Sequence, residues 1–483
     1  MNLFERLTEY GQSDAYPFHM PGHKRCQGRE GAIDAFGIDI TEISGFDNLH
    51  HPEGIIQEEQ EFTAQLYGAK KSFFLVNGST CGVLAAISGC TSCGGTLLLN
   101  RNAHKSAYNA AYLRQLHLSY LYTKELPLGI PMPVSVMEVT RALAENDRIE
   151  AILITSPTYE GFTADIAGIA QVAHARKIPV IVDEAHGAHL GFHSAFPKSA
   201  LEQGADVVIQ SMHKTLPSLT QTALLHLGKD AEMYLDEEKM KHFLGIYETS
   251  SPSYVFMGTM AKCIHELAED AQHQTTAFDR FYRRLYKFYG NCEDLQIIKV
   301  FYTEDKNWDP SKILIYSTLE DETGERLFEI LRDTYHLEFE MASLGYVLGI
   351  ASVWDSDQGF ERLSQALHEM DMLRIRDIGG TVKGQGSVSK QVHKSTMPNI
   401  PEVCYKISET IDIKEKQSIA LEESNGLISG EYIYCYPPGA PIVVPGERMT
   451  EEIIGYIKQC QTEGLHVQGP QDYTLQQIKV VHE

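Results

Sequence analysis

Polar side chains that could do chemistry follow five short apolar segments of the sequence. FFLV precedes Asn77-Gly78-Ser79-Thr80, TLLL precedes Asn100 to Lys105, and AILIT precedes Ser156 to Tyr159. PVIV precedes Asp183 to His186, and DVVIQ precedes Ser211 to Thr215. In an open parallel sheet, functional groups gather at the carboxyl ends of the strands. We therefore expect these five polar groups to lie close together at one edge of a sheet.

Two of these groups could bind an anion and form a covalent bond to an aldehyde. Ser79 and Thr80 stand at a predicted helix start, where free backbone N–H groups and the positive helix end suit a phosphate. An ordinary helix cap is the alternative. The amine of Lys214 can form a Schiff base, and the carboxylate of Asp183 can keep a pyridine nitrogen protonated. These are the parts that a pyridoxal phosphate site requires.

The imidazoles of His104 and His186 complete the pattern, because a flat ring can stack on a flat cofactor. Each residue taken alone has a structural alternative. Asp183 could cap a helix, Lys214 could be a solvated surface lysine, and either histidine could be a hydrogen-bonded core residue. Their joint occurrence at successive strand ends favours the cofactor site.

The four residues from Asp183 to His186 also spell the DEAH box of nucleic-acid helicases. Such a helicase needs a G-x-x-x-x-G-K-[ST] phosphate loop. The nearest candidate, at 68–72, lacks the glycine that must precede the lysine. The formal net charge of −24, with no basic run, also disfavours nucleic acid as a partner. The sequence therefore argues against a helicase.

The composition is that of a soluble globular protein in a reducing compartment. The 483 residues are 43% hydrophobic and 22% charged. Nine scattered cysteines argue against a disulfide framework, and the CxxC pair of Cys90 and Cys93 lacks a second pair at zinc spacing. The first residues lack the apolar core of a signal peptide, and no apolar run approaches a membrane span of roughly 18–20 residues. We predict a cytoplasmic protein with no metal site and no membrane contact.

Apolar β-branched runs recur roughly every 25–30 residues in the middle of the chain, with helix-like segments between them. This rhythm is typical of an α/β fold with a mainly parallel sheet. We predict an arm at 1–60, a large domain at 61–290, a small α+β domain at 291–385 and a carboxyl-terminal domain at 386–483. The Gly- and Ser-rich segment at 378–389 is predicted to be a linker.

Nine stretches resemble the Orn/Lys/Arg decarboxylase family, whose members are pyridoxal phosphate enzymes of fold type I. They are FHMPGHK, DITEISGFDNLHHPEGII, FFLVNGST, RNAHKS, SPTYEG, VDEAHGAH, SMHKTLPSLTQTA, TSSPSY and YPPGAPIVVPGE, in family order along nearly the whole chain. The sequence is most similar to the shorter Gram-positive forms without an N-terminal wing domain. The large domain is thereby expected to have the fold-type-I transferase architecture, followed by a small domain and a decarboxylase C-terminal domain.

The resemblance implies a role for each matching residue. Lys214 would be the Schiff-base lysine, and Asp183 would pair with the pyridine nitrogen. His104 would cover one face of the ring, and Ala185 and His186 would cover the other. The phosphate would be held by Ser79, Thr80, Ser211 and His213, and Thr158 would lie near the ring hydroxyl. Glu447 would lie near the distal cation of the substrate, in its own subunit or in the partner subunit's pocket. His213 or Lys214 would return the proton to Cα.

The sequence departs from the family pattern at two places. In the family, PGHK is followed by any residue and then a glycine. Here Arg25 and Cys26 follow PGHK, and the glycine is delayed to Gly28. Asp47 is followed by Asn48 where the family has a second acid. The missing carboxylate bears on recognition of the cationic end of the substrate. Neither departure involves a predicted cofactor residue.

The implied reaction is decarboxylation of a basic L-amino acid, with arginine preferred and with lysine and ornithine as alternatives. An aminotransferase or lyase of the same fold is a second reading, because fold does not fix function. A degenerate binding protein is a third, and the intact Lys214, Asp183 and His104 argue against it. The family resemblance also implies a homodimer at least.

Overall fold

The computed structural model describes residues 2–26, 35–319, 321–377, 398–435 and 439–481. Three of the sequence features fall wholly or partly outside the described residues: the predicted linker at 378–389, the delayed glycine at position 28, and the YPP that opens YPPGAPIVVPGE.

The amino-terminal segment consists of short elements joined by loops. They are α1 (Leu3–Gln12), β1 (Tyr16–Phe18), α2 (Ala35–Ile38) and α3 (Ile55–Tyr67). Helix α1 begins with a capping box, in which Asn2 and Glu5 bond to each other's backbone N–H groups. Helix α3 ends at Gly68, which adopts a left-handed conformation with φ of 69°.

A large sheet forms the centre of the molecule. The strands of this part are β2 (Lys71–Leu75), β3 (Thr96–Asn100), β4 (His117–Leu121), the short pair β5 (Glu125–Leu126) and β6 (Ile130–Pro131), β7 (Ile149–Thr155), β8 (Val180–Asp183), β9 (Val207–Ser211) and β10 (Ala223–Leu227). Seven of them pair in the order β2-β10-β9-β8-β7-β3-β4. Strand β10 is antiparallel to both neighbours, and the other neighbouring pairs are parallel. The predicted α/β fold with a mainly parallel sheet is confirmed.

Helices cover both faces of this sheet. They are α4 (Gly78–Cys90), α5 (Lys105–Leu113), α6 (Val136–Glu145), α7 (Ile166–His174), α8 (Met212–Thr215), α9 (Glu237–Tyr247), α10 (Tyr254–Asp270) and α11 (Ala277–Asn291). Leu97 and Leu99 pack in the core that includes α4, α5 and α9, whereas Leu98 packs with α6 and α7. Successive side chains of a strand point to opposite faces, so a continuous apolar run suits a strand that is covered on both sides.

A smaller antiparallel sheet follows the large one. Its part of the chain contains β11 (Ile298–Val300), β12 (Lys312–Ser317), α12 (Gly324–Asp333), β13 (Leu337–Phe339), β14 (Met341–Ala342), β15 (Val347–Ile350) and α13 (Asp357–Asp377). The sheet order is β11-β12-β15-β14. Strand β13 pairs in parallel with β1, and Phe18 stacks on Phe339 at 5.5 Å between ring centroids. The amino-terminal segment is therefore anchored to β13, with which β1 forms a separate two-stranded sheet.

The last part of the chain contains two three-stranded sheets. Its elements are α14 (Ile407–Ile411), β16 (Gln417–Ala420), β17 (Ile428–Ser429), β18 (Ile433–Cys435), β19 (Pro441–Val443), α15 (Glu451–Thr462), β20 (Val467–Gln468) and β21 (Gln477–Val481). The sheet orders are β16-β21-β17 and β19-β18-β20. Ile453 and Ile457 of α15 are buried in a core with residues of both sheets. The boundaries of the four predicted domains stay predictions.

A chain of buried polar side chains crosses the large sheet diagonally, from Ser72 near the start of β2 to Glu184 just after the end of β8. The Ser72 hydroxyl bonds to His226 Nδ1 at 2.7 Å, and His226 Nε2 lies 3.2 Å from Gln210 Oε1. Gln210 Nε2 then donates to Glu184 Oε2 at 2.6 Å. Because buried polar groups are costly without partners, these bonds explain how His226 and Glu184 can be buried within this part of the sheet.

No helix within the described part of the chain combines the length and the apolar character that crossing a membrane requires.

Candidate active site

A cavity of about 1010 Å³ opens at the carboxyl ends of the parallel strands. The predicted cofactor residues all line it: Ser79, Thr80, His104, Thr158, Asp183, Ala185, His186, Ser211, His213 and Lys214. They come from the ends of β7, β8 and β9 and from the starts of α4, α5 and α8. The structure thus brings together side chains that are up to 135 residues apart, and the role of each stays a prediction.

Two neighbouring parallel strands, β8 and β9, position Asp183 and Lys214. Asp183 is the last residue of β8, opposite Ile209 of β9, and Lys214 lies in the short helix α8 that follows β9. Burial lowers the pKa of Lys214, an effect that the Asp183 and Glu340 carboxylates oppose. Burial raises the pKa of Asp183, and the Lys214 charge opposes this. A lysine with a lowered pKa is more often neutral and therefore nucleophilic.

The start of α4 is arranged to receive an anion. Asn77, at the N-cap position, makes no capping bond with its side chain and instead donates to the Tyr247 carbonyl at 3.0 Å. The hydroxyls of Ser79 and Ser211 lie 2.6 Å apart, and the Thr80 side chain is exposed beside them. An uncapped helix start with adjacent hydroxyls has the donors that a phosphate needs.

Two imidazoles face the cavity in neutral form. His104 is the N-cap of α5, where its Nδ1 accepts the Ser106 backbone N–H at 3.3 Å. Burial and the charges of Lys214 and Lys105 lower the pKa of His104 to about 4. Burial, Lys214 and Lys312 hold the pKa of His186 well below its ordinary value. Neutral rings at these positions can pack against a planar group.

His213 and Thr158 are held by backbone groups. His213 Nδ1 lies 3.0 Å from the Thr222 carbonyl oxygen, so that nitrogen carries the proton and donates to the carbonyl. Burial lowers the pKa of His213 to about 4. The Thr158 hydroxyl accepts the Phe162 backbone N–H at 3.2 Å. Both side chains are thereby fixed at the cavity wall.

These residues fit pyridoxal phosphate. The uncapped helix start supplies phosphate donors, the buried Lys214 supplies an amine of lowered pKa, and the buried Asp183 supplies a carboxylate at the next strand end. The helix start suits the phosphate of the cofactor, the Lys214 amine suits its aldehyde, and the Asp183 carboxylate suits its ring nitrogen.

Comparison with family models decides the family. The model of the Orn/Lys/Arg decarboxylase major domain matches residues 1–325, and the model of the C-terminal domain of the same family matches residues 390–471. The chain belongs to the Orn/Lys/Arg decarboxylase family. It is therefore an enzyme of basic amino-acid decarboxylation, and the resemblance seen in the sequence is confirmed.

Several relatives resemble this decarboxylase along nearly its whole length. The arginine decarboxylase of Halalkalibacterium halodurans is 31% identical over 100% of this chain and 97% of its own. The arginine decarboxylase of Bacillus subtilis strain 168 is 31% identical over 100% of this chain and 98% of its own. Among solved structures, the constitutive lysine decarboxylase of Escherichia coli superposes with a TM-score of 0.74 at 18% identity, covering 99% of this chain and 81% of the other. That structure supports the fold.

The structure does not bring Glu447 to the cavity of the decarboxylase. Glu447 is fully buried, and its two carboxylate oxygens each accept a bond of 2.8 Å from the Arg101 guanidinium. The Val444 backbone N–H donates to the same carboxylate at 2.9 Å. Glu447 thus makes a buried ion pair with Arg101, the residue directly after β3, and its predicted contact with a substrate cation stays a prediction.

The two departures from the family pattern have local partners. The Asp47 carboxylate accepts five backbone N–H groups, of which those of Gly54 and Ile56 lie 2.9 and 3.0 Å away at the start of α3. Asn48 accepts the His50 N–H at 2.8 Å. Arg25 donates to the carbonyl oxygens of Tyr10 and Ala15. These residues fold the amino-terminal segment, and none of them lines the described cavity.

The CxxC pair lies away from the cavity. Cys90 and Cys93 are both free thiols at the end of α4 and just after it. Burial raises the pKa of Cys90 to about 12, which makes it unreactive at neutral pH. Among the residues that the structure describes, no three His, Cys, Asp or Glu side chains form a group that could hold a metal ion.

Sequence reasoning assigned no role to Lys312, Tyr159 and Glu340, which lie at the site. Lys312 is fully buried at the start of β12, and its Nζ lies 3.5 Å from His186 Nδ1. The Tyr159 ring packs on His186 at 4.4 Å between centroids, and its hydroxyl donates to Glu340 at 2.7 Å. A lysine at the start of the apolar run KILIYS looks like a solvated strand end. Only the tertiary fold shows that it points at His186.

Proposed function

We propose that this family member is a pyridoxal phosphate-dependent decarboxylase that converts arginine to agmatine and CO2. The observation that carries the proposal is the placement of Lys214 and the buried Asp183 at adjacent strand ends, in one cavity with an uncapped helix start. The choice of arginine is supported by relatives named arginine decarboxylases at 31% identity, whereas the relative named constitutive lysine decarboxylase is 25% identical.

Each residue has a task that its surroundings suit. The bound cofactor supplies a ring that takes up the electrons of the bond between Cα and the carboxylate. Asp183 keeps a proton on the ring nitrogen, and His104 and His186 enclose the two faces and exclude water. Ser79 and Ser211, with the start of α4, hold the phosphate.

The proposed phosphate-binding residues are Ser79, Thr80, Ser211 and His213. Thr158 is the proposed neighbour of the ring hydroxyl, and Ala185 is a proposed neighbour of the ring.

The geometry favours Lys214 over His213 as the group that returns the proton to Cα. His213 Nδ1 donates its hydrogen to the Thr222 carbonyl, which leaves a lone pair and no proton on Nε2 of the neutral ring. With its pKa lowered to about 4, the ring seldom gains a second proton near pH 7. Lys214 would hold the aldehyde of the cofactor, and its amine, when free, would carry the proton.

The reaction is tested by product formation with three substrates in parallel. Purified protein loaded with pyridoxal phosphate is offered arginine, lysine and ornithine, beside the variants Lys214→Ala and Lys214→Arg. We expect agmatine from the wild type only, because Lys214→Arg keeps a charge but cannot form the covalent link to the aldehyde. Cadaverine or putrescine as the main product would change the substrate assignment.

Absence of any amine, with the cofactor absorbance intact, would contradict the proposed reaction and favour an aminotransferase or lyase. The homodimer and the cytoplasmic location predicted from the sequence stay predictions. Mass photometry of the loaded protein tests the first of them.

A further inference from the structure

Two cysteines of the carboxyl-terminal part lie together in the cavity wall. Cys435 is the last residue of β18 and lines the cavity with a partly exposed side chain, whereas Cys460 on α15 is fully buried. Their sulfur atoms lie 3.8 Å apart, although 25 residues separate them in the chain. Tyr456, one turn before Cys460 on α15, lines the same cavity.

Hydrogen bonds prepare the buried thiol for reaction. The Cys435 thiol donates to Cys460 Sγ, and this bond together with one from the Tyr456 hydroxyl lowers the pKa of Cys460. The contrast with other buried thiols is clear, because burial raises the pKa of Cys90 and of Cys292 to about 12. The thiolate is the form that attacks sulfur, so Cys460 is chemically competent but hidden from large reagents.

We propose that Cys435 and Cys460 form a reversible disulfide, made by exchange with a small-molecule disulfide such as oxidised glutathione. The hydrogen bond to Cys460 and burial raise the pKa of Cys435, so Cys435 becomes a thiolate by passing its proton along that bond to the Cys460 thiolate. The Cys435 thiolate attacks one sulfur of the reagent, forms a mixed disulfide and expels one reagent thiolate, which takes the proton from Cys460. The Cys460 thiolate then attacks Cys435 Sγ and expels the second reagent thiolate, which is protonated by water. Two protein thiols are oxidised, one reagent disulfide is reduced to two thiols, and the balance is complete.

The bond changes the wall of the cavity. A disulfide holds its sulfur atoms about 2.05 Å apart, so oxidation moves the two sulfur atoms closer than the observed 3.8 Å. The bond also removes the Cys460 thiolate that accepts from the Tyr456 hydroxyl, and both Cys435 and Tyr456 line the cavity. We therefore expect oxidation to alter the KM for the amino-acid substrate more than kcat.

The site is tested by mass spectrometry of the holoenzyme. The protein is equilibrated with mixtures of reduced and oxidised glutathione, quenched with iodoacetamide and digested. We expect a cross-linked peptide pair containing Cys435 and Cys460, two hydrogen masses below the reduced pair, which dithiothreitol converts back. The exposed Cys93 is the internal control for reagent activity. Two alkylated thiols at 435 and 460, under conditions that modify Cys93, would overturn the proposal.

Single variants test the order of the two steps. In Cys460→Ser, we expect the glutathione adduct on Cys435 to persist, because the resolving thiolate is absent. In Cys435→Ser, we expect Cys460 to stay unmodified, because it is buried. A glutathione adduct on Cys460 in that variant, at the rate seen for Cys93, would overturn the assigned order. The wild-type cross-link is measured without either variant and does not depend on how well they fold.

The effect on the cavity is measured on fully cross-linked enzyme. We expect a KM raised by about threefold or more, restored by dithiothreitol and absent in Cys435→Ser, with kcat changed by less than about twofold. This measurement rests on the proposed decarboxylase activity, whereas the peptide mass does not, so the two failures are distinguishable. An unchanged KM in the cross-linked enzyme would overturn the claim that the bond acts on substrate binding.

Discussion

His186 lies between two lysine side chains that come from distant parts of the chain. Its Nε2 is 3.1 Å from Lys214 Nζ, and its Nδ1 is 3.5 Å from Lys312 Nζ. Burial and these positive charges keep the ring neutral. Because Lys312 is fully buried, its charge is poorly screened and acts strongly on His186. Lys312 is thus a positioning residue, which acts on the site through the histidine.

Replacing Lys312 with methionine removes that charge at nearly constant length. We expect the pKa of His186 to rise, so that the acidic limb of the kcat/KM profile moves to higher pH. Lys312→Arg keeps the charge and serves as the control. The measurement is the pH profile of agmatine formation, together with the pH dependence of the cofactor absorbance. Profiles that coincide for the methionine variant and the wild type would contradict the role given to Lys312.

At the scale of elements, one buried ion pair joins the end of β3 to the loop that follows β19. The Arg101 guanidinium binds Glu447 through two hydrogen bonds of 2.8 Å and also donates to the Ile442 carbonyl at 3.0 Å. Arg101 is charged at any working pH, and burial makes its charge costly without a partner. The pair therefore holds the carboxyl-terminal part against the large sheet.

Glu447→Gln leaves Arg101 buried without an anion. We expect the free energy of unfolding to fall by about 3–5 kcal/mol, while KM for arginine in the folded enzyme changes little. Guanidinium titration measures the first and steady-state kinetics the second. The double variant Arg101→Met/Glu447→Leu is the control, and we expect it to regain much of the stability. A large rise in KM with unchanged stability would instead restore the substrate contact expected from the sequence.

The sequence predicts the elements best where one strong local signal exists. The runs ending at Thr155, Val182 and Gln210 are apolar enough to predict β7, β8 and β9 and to place the polar groups after them. Strand β10 was missed, because His226 interrupts its apolar run and only partners from β2 and β9 make that histidine acceptable inside the sheet. The partner of Glu447 could not be predicted either, because Arg101 is 346 residues away.

At the scale of the whole molecule, the buried polar chain from Ser72 through His226 and Gln210 to Glu184 ties four neighbouring strand regions together. It also links stability to pH in two opposite ways. Burial lowers the pKa of His226 to about 3 and raises the pKa of Glu184 to about 8. At pH values below about 6.5, the ordinary pKa of histidine, His226 is protonated in the unfolded chain but not in the folded one. The folded state therefore loses stability as the pH falls from about 6.5 towards 3.

His226→Gln removes the proton uptake of the unfolded chain and keeps a hydrogen-bonding side chain. Between pH 7 and pH 5, we expect the wild type to lose about 2 kcal/mol more unfolding free energy than the variant. Glu184 contributes the opposite slope over this range, and it is present in both proteins, so the difference between them isolates His226. Urea titrations at the two pH values provide the comparison. Parallel losses in the two proteins would show that His226 does not carry this dependence.

The position of β10 has a consequence for the order in which the chain can fold during synthesis. Strand β2 has β10 as its one neighbour in the large sheet, and β10 begins at Ala223, well over a hundred residues after β2 ends at Leu75. At a translation rate of about 5–20 residues per second, β2 waits roughly 7–30 s for its partner to leave the ribosome. During that interval its backbone N–H and C=O groups form an open edge that other nascent chains could pair with. Slower translation between these two strands should therefore favour misassembly, and an early-acting chaperone should protect this segment.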